Sequence, residues 1–305
     1  MTNAIETRGL GKRFRRRWAV RDLTLAVPEG AVFAFLGPNG AGKTTTIKTF
    51  MNLLRPSAGS AAVLGVPSRR LGPATLAQIG YVSENQALPD WMTVAQLLAF
   101  CRPLYPTWDA SFATRLVAQF ELPLAMRLRD MSRGMRVKAS LLSSLAYRPR
   151  LLVLDEPFTG LDVLVRDELI RGILELSEQE RWTVFVSSHD IDEVERLADW
   201  VGILNDGHLE LAEPVAALQA RFRRIEATVT GDGGTPAPPA SWLVVDRAAH
   251  RVSLVDSRYD ATETQAALER LFGPVRDVLV SPMSLREIFL ALAQTYRLAA
   301  HREVA

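Results

Sequence analysis

Short, wholly apolar runs alternate with helix-period stretches over the first two thirds of the chain. Residues 31–36 (AVFAFL) form one such run, followed by a glycine-rich turn and a pattern that predicts a helix over about 43–54. Residues 151–154 (LLVL), 183–187 (TVFVS) and 201–204 (VGIL) are similar runs; a helix is expected over about 163–179, and a turn at Asn205, Asp206 and Gly207. Continuous apolar runs read as strands buried on both faces. Their alternation with helices predicts an α/β fold around a mostly parallel core sheet. The opening of the chain differs. Residues 5–10, 19–27 and 61–64 read as hairpin-like strands, which predicts an antiparallel β layer beside the core.

The middle, about 93–146, has helical periodicity, cut into several short helices by Pro103, Pro106 and Pro123. Residues 231–241 (GDGGTPAPPAS) cannot build a core and read as a linker or long loop. Beyond them come expected strands at 242–245, 251–255 and about 275–280, a helix near 262–271 and a last helix from about Ser284. The expected division is a domain over 1–222, with a helical subdomain at about 85–147, and a small α+β appendage over 223–305.

Composition narrows the setting. Hydrophobic residues make up 48% of the 305 and charged residues 23%, so the chain can bury a sizeable core unaided. Cys101 is the single cysteine, which excludes an internal disulfide framework and a thiolate-based zinc site, and fits a reducing, cytoplasmic compartment. The net charge is +2, so no global field recruits nucleic acid. Residues 12–17 (KRFRRR) are too short a basic stretch to change that expectation, and no nucleic-acid partner is expected. No apolar run reaches the roughly 18–20 residues that a membrane-spanning helix needs. Residues 1–8 lack the apolar core of a secretory signal, so a protein working at a membrane would need another subunit to hold it there.

The chemistry concentrates at strand ends. Gly37, Pro38, Asn39, Gly40, Ala41, Gly42, Lys43 and Thr44 match G-x-x-x-x-G-K-[ST] between an expected strand and an expected helix, with Thr45 next. Glycines there let successive N–H groups curl around phosphate, and the helix N-terminus adds partial positive charge. Lys43 would reach the β- and γ-phosphates, and the Thr44 hydroxyl would hold Mg²⁺. The run 151–154 ends in Asp155 and Glu156, at the sheet edge where ligands bind. Asp155 suits a Mg²⁺ contact through water, and Glu156 suits a general base for the attacking water. His189 follows the run 183–187 at the same edge and suits a γ-phosphate contact.

These motifs together resemble the ATP-binding subunit of an ABC transporter of the export-like (ABC-2) type. Further segments agree. Thr159, Gly160, Leu161 and Asp162 resemble the D-loop; Met131 to Met135 (MSRGM) stand where the signature stands; residues 56–60 (PSAGS) resemble the segment after the P-loop helix. Residues 79–84 (IGYVSE) resemble the Q-loop, with Glu84 at the glutamine position, and Phe14 sits where an adenine-stacking aromatic is placed. The resemblance covers about 3–220. It implies a P-loop NTPase fold with the antiparallel layer and helical subdomain, hydrolysis of ATP with Mg²⁺ at Thr44, Asp155 and Glu84, and catalytic roles for Glu156 and His189. It also implies a second ATPase subunit whose Ser132 and Gly134 cap the γ-phosphate across a dimer, with Asp162 nearby, and separate membrane permease subunits at the cytoplasmic face.

The chain departs from the family pattern at Arg133 and Met135 in the signature, at Glu84, and at Phe14, where Tyr is commoner. Phe14 keeps the stacking face. A soluble ABC-type ATPase without a transport role stays open at this point, although the single Walker A motif and the lack of sustained heptads speak against it. Trp91, Tyr105 and Trp108 are candidates for permease contact or for packing inside the helical subdomain.

Overall fold

Three sheets organise the described residues, which in this computed structural model are 2–84, 86–230 and 237–303, with side chains to 295. The chain divides into two compact units, the first ending at Ala212 and the second starting at Glu213.

The first unit opens with β1 (Asn3–Phe14), β2 (Arg17–Pro28), β3 (Val32–Leu36), α1 (Lys43–Phe50), β4 (Ala58–Val63), β5 (Val66–Pro67), α2 (Pro73–Leu76) and β6 (Ile79–Val82). Helices α3 (Val94–Cys101), α4 (Ala110–Gln119) and α5 (Arg133–Leu145) follow. Then come β7 (Leu151–Asp155), α6 (Val163–Glu180), β8 (Thr183–Ser188), β9 (Trp200–Asn205) and β10 (His208–Pro214). The core sheet has the order β10-β9-β3-β8-β7-β6, and the pairings of β3 with β8 and β9, and of β7 with β6 and β8, are parallel. Every residue of β3, β7 and β8 is buried, which is why these strands read as unbroken apolar runs. Phe185 is the centre of this core, with ring centroids 5.6, 5.3 and 5.4 Å from those of Phe33, Phe35 and Phe50.

Strands β2-β1-β4-β5 form the antiparallel layer. Its inward side chains (Ile5, Leu10, Val20, Leu23) join one apolar cluster with Ile47 and Phe50 of α1 and Phe33 of the core sheet. Helix α1 is therefore gripped by apolar contacts from two sheets, which fixes where its N-terminus points. It ends at Phe50, short of the expected 54. Asn52 turns left-handed (φ 60°), and the amides of Leu53 and Leu54 both donate to the Lys48 carbonyl.

The helical region is set by its caps. Thr93 and Gln96 form a capping box at α3, Asp109 caps α4 and Ser132 caps α5. Tyr105 stacks on Tyr147 with centroids 3.8 Å apart, while Trp91 is two-thirds exposed. Cys101 is a free, half-buried thiol.

The second unit contains α7 (Val215–Arg221), β11 (Arg223–Val229), β12 (Trp242–Ala248), β13 (Arg251–Asp256), α8 (Ala261–Phe272), β14 (Val275–Pro282) and α9 (Leu285–Glu303). Its antiparallel sheet runs β12-β13-β11-β14, and Leu268 and Leu271 of α8 pack on Ile225, Ala227 and Leu254. The boundary at 212/213 falls earlier than the expected 222/223. Helix α7 goes with the second unit, where Arg221 donates to the Ser257 carbonyl and its own carbonyl accepts from the Tyr259 amide at 3.0 Å. Of the expected linker 231–241, residues 231–236 lie outside the described residues.

Candidate active site

The glycine-rich turn connects β3 to α1 in a tight passage. A Cβ on Gly37 would lie 2.3 Å from the Leu204 carbonyl oxygen, and one on Gly42 would lie 2.3 Å from that of Ala19. Gly40 and Gly42 take φ of 83° and 107°, a region that side chains rarely enter. Pro38, Asn39 and Gly40 are exposed, while Ala41 is buried and its carbonyl accepts from the Gly207 amide at 2.9 Å. Helices α3, α4, α5, α6 and α8 carry side-chain N-caps, but α1, like the shorter α2 and α7, has none and no acid in its first turn. Its N–H groups are left for an anion.

Lys43 is 5% exposed. Its ammonium donates to the Gly37 carbonyl at 2.6 Å and to that of Pro38 at 3.2 Å, and pairs with Glu156 Oε1 at 2.9 Å. Thr44 and Thr45 follow on the first turn, both half-buried. Thr44 Oγ1 donates to Asp155 Oδ1 at 3.0 Å.

The end of β7 carries the acids. Asp155 is 1% exposed, and its Oδ1 also accepts from Ser187 Oγ at 2.8 Å. Burial pushes the Asp155 carboxyl above its ordinary value, against the hydrogen bonds from Ser187 and Thr44. Glu156 adopts a left-handed φ of 52°, held by amide hydrogen bonds to the Ser187 carbonyl and hydroxyl. Its Oε2 lies 2.7 Å from His189 Nδ1 and accepts from Thr159 Oγ1 at 3.2 Å. Burial pushes Glu156 upward, but the hydrogen bond from His189 and the Lys43 ammonium outweigh it and hold the carboxyl below its usual value. An ionised carboxylate only accepts, so the hydrogen bond between them is one that His189 Nδ1 donates.

The structure thus brings Gly37–Thr45, Asp155, Glu156 and His189 together at one end of the core sheet. Phe14 ends β1, 47% exposed, on the hairpin whose other strand supplies the Ala19 carbonyl against Gly42; Lys12 Nζ lies 5.1 Å from its ring centroid. Glu84 is exposed two residues beyond β6, whose Val82 pairs with Leu154. It therefore lies at the same sheet edge, but no hydrogen bond or ion pair joins it to Thr44 or Asp155. Ser132 and Asp162 are exposed N-caps of α5 and α6, and Gly134 is buried against Val165.

The residues fit MgATP. The uncapped α1 N-terminus, the glycine turn and Lys43 match a polyphosphate, and the paired oxygens of Thr44 and Asp155 are hard donors of the kind Mg²⁺ takes alongside phosphate oxygens. Two neighbours escaped the sequence reading. Ser187 ties Asp155 to the Glu156 amide, a bridge set by the β7–β8 register that pairs Asp155 with Ser187. Tyr81 is half-buried; burial and the charge of Asp155 push its phenol up to about 12. Its place in residues 79–84, the segment that resembles the Q-loop, was the available signal.

A P-loop at the mouth of a parallel sheet, an antiparallel layer beside it and a helical segment inserted between β6 and β7 define an ATP-binding cassette ATPase. Comparison with known proteins agrees. The chain belongs to the ABC transporter family, whose model matches residues 20–159. It is 30% identical over 309 residues to the daunorubicin/doxorubicin resistance ATP-binding protein DrrA of Streptomyces peucetius, covering 95% of this chain and 92% of that protein. It is 26% identical to the ABC transporter ATP-binding protein YtrB of Bacillus subtilis (strain 168), covering 94% and 97%. A solved ATP-binding subunit of an ABC transporter superposes with a TM-score of 0.64 at 26% identity, covering 72% of this chain and 92% of that one. The protein is the ATP-binding, ATP-hydrolysing subunit that powers an ABC transporter. Among the described residues no helix is long and apolar enough to cross a membrane.

Proposed function

We propose that this chain drives outward transport by closing as a dimer over MgATP, beneath separately encoded membrane subunits at the cytoplasmic face. The observation that carries the reading is the convergence of an uncapped α1 N-terminus, Lys43, the Thr44–Asp155 pair and the Glu156–His189 pair at one sheet edge. The outward direction is supported by the near-full-length match to a drug-resistance protein, which runs through the second unit as well as the first.

In this reading the amides of residues 37–44 and the Lys43 ammonium hold the β- and γ-phosphates, and Phe14 stacks on adenine. Mg²⁺, held by Thr44 and Asp155 with Glu84 reaching it through water, would neutralise phosphate charge. Glu156 is ionised and aimed by His189 and Thr159, so it can take a proton from the attacking water. His189 can contact the γ-phosphate only as a donor, so with Nδ1 given to Glu156 the contact requires Nε2 to carry a proton as well. Ser132 and Gly134, with Asp162 beside them, cap the γ-phosphate bound to the opposing subunit.

Glu156→Gln tests this directly. The amide keeps the shape but cannot act as base, so turnover should fall by roughly 10²–10⁴-fold while MgATP binding persists. Light scattering should then show an ATP-dependent dimer. Near-wild-type turnover would remove Glu156 from the mechanism, and a variant that stays monomeric in MgATP would remove the dimer.

A further inference from the structure

Two arginines near the start of α5 play no part in the mechanism above, and the structure treats them differently. Arg136 is committed locally: its Nη1 donates to Asp90 Oδ1 at 2.8 Å and to the Leu128 carbonyl at 3.0 Å. Arg133 has no carboxylate partner among the described residues. Its guanidinium lies across Gly160 instead. A Cβ built on that glycine would sit 3.0 Å from Nη1, 3.1 Å from Cζ and 3.3 Å from Nε. Near-equal distances to three atoms of one plane mean that the guanidinium meets the loop face-on. A side chain at 160 would push the guanidinium back by a few tenths of an ångström, and the φ of 72° there favours glycine. Gly134, next to Arg133, is in a tighter place still, since a Cβ there would lie 2.7 Å from Val165 Cγ1.

The loop under Arg133 leads straight to the catalytic carboxylate. Thr159 precedes Gly160, donates its hydroxyl to Glu156 Oε2 and its amide to the Glu156 carbonyl at 3.3 Å. On either side the loop is anchored, by the fully buried Phe158 and by Asp162 capping α6. Between these anchors the contact at Gly160 is the guanidinium. A planar guanidinium suits this face-on contact, and a lysine ammonium does not.

We propose that Arg133 is a positioning residue for Glu156: by clamping Gly160 it keeps the Thr159 hydroxyl on the carboxylate, so that hydrolysis depends on where the start of α5 sits. The proposal rests on Glu156 acting as the base. It gives the arginine that departs from the family signature a task within its own subunit.

The test is steady-state ATP hydrolysis by the purified full chain carrying Arg133→Ala, Arg133→Lys, Thr159→Val, Thr159→Ser and the Arg133→Ala/Thr159→Val pair. Arg133→Ala should lower kcat roughly three- to tenfold, the scale of one hydrogen bond to a reacting group, and leave the KM for ATP unchanged. Arg133→Lys should not restore the rate. Thr159→Val should reproduce the loss and Thr159→Ser should escape it. The double variant should be no slower than Thr159→Val alone, because both act through one hydrogen bond. Wild-type kcat in Arg133→Ala, a loss confined to KM, or losses that multiply in the double variant would each overturn the proposal. Failure of the underlying reading looks different: Glu156→Gln itself would then hydrolyse ATP at a near-normal rate.

Discussion

Each polar side chain at the end of β7 has a specific partner, and the partners differ in how far away they lie in sequence. Lys43, Thr44, Asp155, Glu156 and His189 are legible from the chain alone, because each sits within a few residues of an apolar run that must end at the sheet edge. Ser187 is not legible in that way, since its bridge from Asp155 to Glu156 exists only once β7 and β8 pair in register. Glu84 is the residue whose role is least constrained by contacts. Asp155 already carries a raised pKa from burial and from the charge of Glu156. A third carboxylate at this edge adds repulsion that a divalent cation relieves. Glu84→Gln should therefore weaken the Mg²⁺ dependence of ATP affinity, measured by fluorescent-nucleotide titration without membrane subunits. An identical Mg²⁺ profile would take Glu84 out of the metal site.

Caps and seams decide what the elements can transmit. Helix α6 shows this best: Asp162 caps it, Val165 packs on Gly134, Glu168 pairs with Lys138 at 2.7 Å, and Arg166 lies 3.6 Å from the buried Glu193, which accepts from Ser188 beside His189. One helix thus touches both α5 and the loop that carries the histidine. The sequence predicted α6 almost residue for residue, because it is long and follows directly on Asp162, a residue type that caps helices. It gave no strand at Ile79–Val82, where a four-residue run holds a glycine, or at Arg223–Val229, where the alternation is flanked by charge. At α4, Asp109 accepts from the Phe112 amide, Ser111 and Arg148, which hold its carboxyl well below the usual range. A depressed carboxylate stabilises the fold above its unfolded value of about 3.9, and that contribution shrinks as pH falls toward the folded value. Asp109→Asn should accordingly melt lower than wild type at pH 7, with the gap narrowing toward pH 3. A gap that is constant across that range would show that the charge is not the cause.

At the scale of the whole molecule, the nucleotide residues and the second unit rest on separate cores. All residues of the candidate active site precede Ala212, and Ile225, Ala227, Val229 and Leu254 form a cluster of their own. The glycine- and proline-rich composition of 231–241 marks an obvious place to cut, yet the topology argues against it. Strand β11 lies before that stretch but sits between β13 and β14, which come after it. A chain ending at 230 keeps β11 without either neighbour and exposes Ile225 and Val229, each contributing roughly 1.5–3 kcal/mol when buried. A chain ending at 214 keeps β10 and carries no orphaned strand. The 1–214 fragment should bind MgATP with near-wild-type affinity and run as a single species on gel filtration. The 1–230 fragment should aggregate or bind a hydrophobic dye. A tenfold loss of affinity in 1–214, about 1.4 kcal/mol, would show that the second unit supports the nucleotide site. Equal behaviour of the two fragments would show that β11 does not need its neighbours.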